Sequence, residues 1–113
     1  MGESIISWSD FEKVEIRVGT VLTADLFPEA KKSAYKLTID FGPLGVKQSS
    51  AQITVNYSPE QLLNRQVLAV TNFPPKRIAG FDSEVLVLGA VPGKGGVMLI
   101  GPDEEVPNGT RIL

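Results

Sequence analysis

The alternation of apolar and polar side chains along the chain predicts mostly strands. The clearest case is residues 35–41, where Tyr, Leu, Ile and Phe alternate with Lys, Thr and Asp, the pattern of a half-buried strand. Residues 16–27 predict a long first strand whose apolar phase changes at Gly19, which indicates a bulge or a sharp coil at that glycine. The polar segment 47–50 predicts a third strand.

Two later segments, 67–71 and 85–91, are apolar on both phases of a strand. Strands of this kind are usually buried on both faces. In a chain of 113 residues, a partner subunit is one candidate for covering the second face of 85–91. Shorter extended pieces are expected at 97–100 and 110–113, the first of them reached through a glycine-rich hairpin connection at 93–96.

Two short helices are predicted from the residues that would cap them. Ser9 and Glu12 form a capping-box pattern, and Ser58 and Gln61 form a second one with Pro59 at the first helical position. Five principal strands, a helix between the third and fourth, and a bent first strand predict an all-β fold. We expect a five-stranded OB-type barrel with short helices and C-terminal extension strands, with a β-sandwich as the alternative.

Composition excludes several classes of chemistry. The chain has neither cysteine nor histidine, so disulfides, thiolate metal sites, the usual zinc sites and Ser-His-Asp catalysis are absent. No carboxylate pair stands out, and the glycine-rich run at 93–96 leads into a strand, so no phosphate-binding loop is supported. No cofactor and no metal are expected. Without an apolar run of 18 residues or a visible signal peptide, we expect no membrane insertion and a cytoplasmic location.

Charge is unevenly distributed although the net charge is only −2. Residues 31–81 carry seven cations and two acids, or +5, and the rest of the chain carries −7. Such segregation can create a basic face that attracts a phosphate backbone. The alternative is that these lysines are scattered and only aid solubility.

The segment 72–83, between two predicted strands, is the strongest candidate for a binding loop. The pair Pro74-Pro75 stiffens its backbone, so less entropy is lost when a ligand binds. Lys76 and Arg77 offer hydrogen-bond donors to an anion, and Gly80 provides a place to turn. An ordinary proline-rich bend is the alternative.

Five stretches together form a specific pattern: residues 10–19, 47–51, 57–60, 72–80 and 106–109. Through them the chain resembles the family of tRNA-binding OB domains, found as stand-alone dimers and appended to some aminoacyl-tRNA synthetases. Residues 39–42, 47–53 and 72–89 are most similar to its branch of small export-related chaperones. The resemblance implies an N-terminal arm at 1–8, one OB domain at 9–113, a homodimer and no catalysis.

The resemblance also implies two kinds of ligand, tRNA and unfolded or precursor polypeptides. The family's nucleic-acid-binding surface carries over to Lys47, Gln48, Ser49, Ser50, Asn72, Lys76, Arg77 and Ser83. A polar edge strand that resists aggregation is the alternative for 48–50.

Three phenylalanines, Phe27, Phe73 and Phe81, are candidate polypeptide contacts, with a place in the core as the alternative. The chain departs from tRNA-binding members of the family in having Phe27 before Pro28 instead of histidine, and Val85-Leu86 instead of Gly-Met. Both departures weaken specific tRNA recognition. A chaperone-like module, a dedicated tRNA-binding protein and an undetected enzyme are therefore the competing hypotheses.

Overall fold

A five-stranded antiparallel sheet, wrapped into a nearly closed barrel, forms the body of the protein. The computed structural model describes residues 4–113. Its strands are β1 (Ile16–Leu26), β2 (Tyr35–Asp40), β3 (Val46–Ala51), β4 (Gln66–Val70), β5 (Lys76–Ile78), β6 (Phe81–Ser83), β7 (Leu86–Val87), β8 (Gly89–Ala90) and β9 (Met98–Leu99). The helices are α1 (Trp8–Glu12) and α2 (Pro59–Leu62), and a 3₁₀ turn spans Gly42–Leu44. The sheet order β3-β2-β1-β4-β7 confirms the all-β, OB-type prediction.

The first strand joins the two halves of the barrel. Its N-terminal part pairs with β4, and its C-terminal part pairs with β2. The bulge lies between Val21 and Thr23, so the prediction of a bulge at Gly19 is wrong. Gly19 pairs regularly with Val67, and it is a glycine for another reason: a Cβ there would lie 2.6 Å from Ile39 Cγ2.

The predicted alternation along 35–41 is confirmed. Tyr35, Leu37, Ile39 and Phe41 are buried in the barrel, while the polar residues between them are partly exposed. The helix α2 closes one end of this core with the fully buried Leu62. Its capping box is formed as predicted: the Ser58 hydroxyl accepts from Gln61 N at 3.3 Å, and Gln61 Oε1 accepts from Ser58 N at 2.8 Å.

The first helix begins two residues earlier than predicted. Ser7, not Ser9, is the N-cap, and Asp10 Oδ2 accepts from Ser7 N at 3.1 Å. Both serines fit the same pattern, but a start at Ser7 includes Trp8 in the helix and brings its ring within 5.7 Å of Phe11. The earlier start therefore adds an aromatic contact within the helix.

The barrel is closed by contacts between β3 and the run from β6 into β7. Glu84 N donates to Gln48 O at 2.8 Å, and the Ser49 hydroxyl donates to Val85 O at 3.0 Å. Ser50 N donates to the Ser83 hydroxyl at 2.9 Å. These bonds fix residues 83–85 against the polar strand β3.

The segment 85–91 is not one strand buried on both faces, as the sequence predicted. It is divided into β7 and β8, which belong to different sheets. Val85 is buried, but Leu86 is 49% exposed and Val91 is 76% exposed. The segment follows no single one-sided alternation, because Val85 and Val91 share a phase but differ in burial, and apolar side chains remain open at Leu86 and Val91.

The C-terminal part of the chain adds the predicted extension pieces. The strand β9 pairs with β8 across the glycine-rich connection. Residues 110–113 lie along β1, where Val18 N donates to Thr110 O and Ile112 N donates to Ile16 O, both at 2.9 Å. Among the residues described, no helix is long and apolar enough to cross a membrane.

Candidate functional site

The segment predicted as a binding loop is a β-hairpin over most of its length. The strands β5 and β6 pair from Lys76↔Ser83 to Ile78↔Phe81. The turn consists of Ala79 and Gly80, both with positive φ, at 46° and 83°. Two positive φ angles in a two-residue turn match the twist of hairpin strands. We call residues 76–83 the cationic hairpin.

The two neighbouring cations of the cationic hairpin lie on opposite faces, because successive strand residues alternate. Lys76 and Ile78 face a groove against the barrel. Arg77 faces away from it and lies across the hairpin from Asp82, with Arg77 Nη1 2.8 Å from Asp82 Oδ1. The pair predicted as one anion-binding unit is therefore divided between two surfaces.

The polar residues of β3 are partnered with the cationic hairpin. Gln48 Nε2 donates to Asp82 O at 2.9 Å, and Gln48 N donates to Glu84 Oε1 at 2.9 Å. Gln48 and Ser50 lie on the outer face of the strand, whereas Ser49 is fully buried inside the barrel. Lys47 lies opposite Ile39 at the end of the strand and is partly exposed.

Asn72 braces the end of β4 against the start of β1. Its Oδ1 accepts from Glu15 N at 3.0 Å, and its Nδ2 donates to Lys13 O at 2.7 Å. The side-chain amide thus already contacts two backbone groups. Asn72, one of the predicted nucleic-acid-binding residues, therefore uses its side-chain amide to hold the fold.

The three candidate phenylalanines occupy different environments. Phe27 is only 4% exposed and packs edge-on against Phe81, with ring centroids 5.4 Å apart. The ammonium of Lys36 lies 5.2 Å from the Phe27 ring centroid and 5.9 Å from that of Phe81. Phe73 is 53% exposed and is the most open of the three. Only Phe73 therefore presents most of its ring to a ligand.

An apolar groove of about 610 Å³ lies between the cationic hairpin and the strands β7 and β8. We call it the apolar groove. Its apolar lining is formed by Phe73, Pro74, Ile78, Ala51, Ile53, Val85, Leu86, Val87, Leu88, Val91 and Val97. Lys76, Gln52, Ser83 and Glu84 contribute polar groups to it. The groove can hold an apolar segment and hydrogen-bond its polar groups.

A second, smaller cavity of about 430 Å³ is polar and contains none of the predicted site residues. Arg65 and the acidic run 103–105 line it. Among the residues described, no three carboxylates come together in a way that could hold a metal ion.

Three residues of this site were not predicted from the sequence: Asp82, Lys36 and Leu86. Asp82 could have been found from the Ala79-Gly80 turn, since a two-residue hairpin pairs position 77 with position 82. The exposure of Leu86 depends on where the barrel closes. No pattern in the neighbouring sequence predicts where the barrel closes.

Comparisons with known proteins agree with the fold. Residues 16–111 match the family described as "Putative tRNA binding domain". The crystal structure of the chaperone CsaA from Bacillus anthracis str. Ames is 55% identical with a TM-score of 0.93, covering 97% of this chain and 100% of that chain. The CsaA chaperone from Picrophilus torridus is 53% identical with a TM-score of 0.90, covering 96% and 100%. The predicted resemblance to the chaperone branch is therefore confirmed.

The methionine–tRNA ligase of Methanococcoides burtonii is 34% identical over 110 residues, or 97% of this chain and 16% of the ligase. The chain thus spans about one-sixth of the length of this curated relative. A ligase segment and whole chaperone chains are therefore both similar to this chain.

Proposed function

The chain belongs to the family of tRNA-binding domains, and we propose that it is a non-enzymatic module that holds unfolded or export-bound polypeptides and also binds tRNA. The single observation that carries the polypeptide half is the apolar groove, open beside Phe73 in a chain 55% identical to a chaperone. A concave site lined mainly by apolar side chains with a few polar groups is the usual form of a ligand-binding pocket. The cytoplasm is the proposed location, because tRNA and newly made precursors meet there.

The apolar groove suits a stretch of unfolded chain. Its apolar side chains are aliphatic and aromatic, so burial of apolar residues against them is favourable whatever the sequence of the bound polypeptide. Glu84 and Lys76 at the groove can hydrogen-bond a passing backbone. Suppression of the aggregation of a denatured test protein measures this activity. Absence of suppression in a folded sample that binds tRNA would favour the alternative, a dedicated tRNA-binding protein.

The tRNA half of the proposal rests on the family and on the exposed cations of the cationic hairpin. Lys76 and Arg77 flank the hairpin on its two faces, so a bent phosphate backbone can contact either side. The hairpin's own Ser83 and the neighbouring residues of β3 add donors and hydroxyls suited to sugar and phosphate; these β3 residues are Lys47, Gln48 and Ser50.

We expect the double variant Lys76→Ala/Arg77→Ala to bind tRNA about tenfold more weakly, with the salt slope of log affinity reduced by about 2, one for each phosphate contact. Fluorescence titration with unfractionated tRNA at several salt concentrations measures both quantities. The matched control Lys13→Ala/Lys94→Ala removes two exposed cations outside the hairpin. An affinity independent of salt, or equal losses in both variants, would contradict the hairpin as the tRNA site.

We further propose a homodimer held by the N-terminal arm, with the OB domain at 9–113. The arm's described residues Ile5, Ile6 and Trp8 are exposed, and no side chain of α1 is buried. Residues 1–3 of the predicted arm lie outside the described part of the chain. An isolated helix of five residues is not stable in water. Packing against a second copy supplies the missing stabilisation.

Light scattering at micromolar concentration should give a mass twice the 12.2 kDa of the chain. Trp8→Glu should halve this mass, because a buried charge would oppose the contact. The control Leu26→Glu changes an exposed leucine outside the arm and should remain dimeric. A monomeric wild type would refute the dimer. A Trp8→Glu protein that remains dimeric would indicate that the interface lies instead at the open apolar side chains Leu86 and Val91.

A further inference from the structure

Asp82 is in contact with two of the groups that the proposed tRNA function needs. Its carboxylate accepts from Arg77 Nη1 at 2.8 Å, and its backbone carbonyl accepts from Gln48 Nε2 at 2.9 Å. The neighbouring Glu84 carboxylate accepts from Gln48 N at 2.9 Å. Two acids therefore lie within the surface that sequence and family assign to a polyanion.

The contact between Arg77 and Asp82 contributes little to the stability of the fold. Both side chains are largely exposed, at 67% and 49%, and the two residues are already opposite each other in the hairpin register. An exposed ion pair of this kind stabilises a protein only slightly, because water and salt screen it. The pair therefore affects ligand binding more than it affects stability, because a ligand that contacts Arg77 must compete with Asp82.

We propose that Asp82 is a specificity-determining residue that lowers the affinity of the cationic hairpin for phosphate polymers. This proposal rests on the proposed tRNA function. A phosphate that contacts Arg77 must displace a carboxylate already 2.8 Å from the guanidinium, and it must then lie beside that negative charge. The apolar groove lies on the other face of the hairpin and is not affected. Asp82 thus biases the protein towards polypeptides and restricts RNA to ligands with enough further phosphate contacts.

The test is Asp82→Asn, which removes the charge, keeps the size and leaves the carbonyl that accepts from Gln48. We expect unfractionated tRNA to bind about three- to fivefold more tightly, the upper part of the range that corresponds to loss of an exposed ion pair. Suppression of aggregation should not change. In the Arg77→Ala background the gain should fall below about twofold, because the carboxylate then has no guanidinium to neutralise.

Glu104→Gln is the matched control, since it removes one negative charge from the exposed run outside the hairpin. Its tRNA affinity should change by less than about twofold, because salt screens distant surface charges. Asp82→Ser provides a second variant of the same position, and both are checked for an unaltered unfolding midpoint.

The outcomes separate this proposal from the function on which it rests. If the wild type binds tRNA through Arg77 and Asp82→Asn binds equally well, the specificity role is refuted and the tRNA function stands. An equal gain in Glu104→Gln, or a full gain in the Arg77→Ala background, also refutes it. If neither wild type nor Asp82→Asn binds tRNA, both proposals fail together.

Discussion

Gly19→Val is expected to lower the free energy of unfolding by about 3 kcal/mol, the upper end of the usual cost of overpacking a core. A Cβ at Gly19 would lie 2.6 Å from Ile39 Cγ2 and 2.7 Å from Phe41 Cε1. Both neighbours are fully buried, so neither can swing into solvent. The strand β1 pairs with both β2 and β4, so a displaced Gly19 strains both halves of the barrel.

Urea denaturation followed by circular dichroism measures this loss. Leu22→Ala, on the same strand but at an exposed position, should stay within about 0.5 kcal/mol of wild type. Gly19→Ala should cost less than valine, and adding Phe41→Leu should recover part of that cost, because it removes atoms from the contact. An unfolding midpoint of Gly19→Val equal to that of the wild type would show that the core has room at this position.

The predictable parts of the fold are those specified by neighbours in sequence. Residues 35–41 alternate over a whole strand, and Ser58, Pro59 and Gln61 form a cap from three adjacent signals. The strands β5 and β6 have three residues each, too few for an alternation to be recognised. The phase change at Gly19 predicts a bulge or a sharp coil, because sequence cannot distinguish a glycine needed for a bend from one needed for a close contact.

The types of residue in the candidate site could be predicted, but their directions could not. Ser49 lies among polar neighbours in sequence, yet strand alternation places it inside the barrel, where its hydroxyl donates to Val85 O, 36 residues away. Lys76 and Arg77 are adjacent, yet strand alternation separates them. Each direction depends on the register with which the barrel closes, and that register is set by contacts distant in sequence.

Phe73→Ser/Leu86→Ser is expected to abolish most suppression of aggregation while leaving tRNA affinity within about twofold of wild type. Both side chains are exposed and line the apolar groove, so their loss removes apolar area available to a client. Full burial of such a side chain stabilises a complex by about 1.5–3 kcal/mol, and since each of the two is already about half buried, losing both removes about that amount in total and weakens binding by about ten- to a hundredfold. Stability should change little, because exposed positions contribute little to the fold.

The control for this variant is Leu22→Ser/Leu44→Ser, which removes two exposed leucines outside the apolar groove. Light scattering during dilution of a denatured test protein compares the two pairs at equal concentration. If both pairs lose suppression equally, general surface hydrophobicity and not the groove holds the client. If tRNA affinity falls together with suppression in the groove variant alone, tRNA and polypeptide share one surface. The placement of Lys76 and Arg77 on opposite faces of the cationic hairpin then does not keep the two ligands apart.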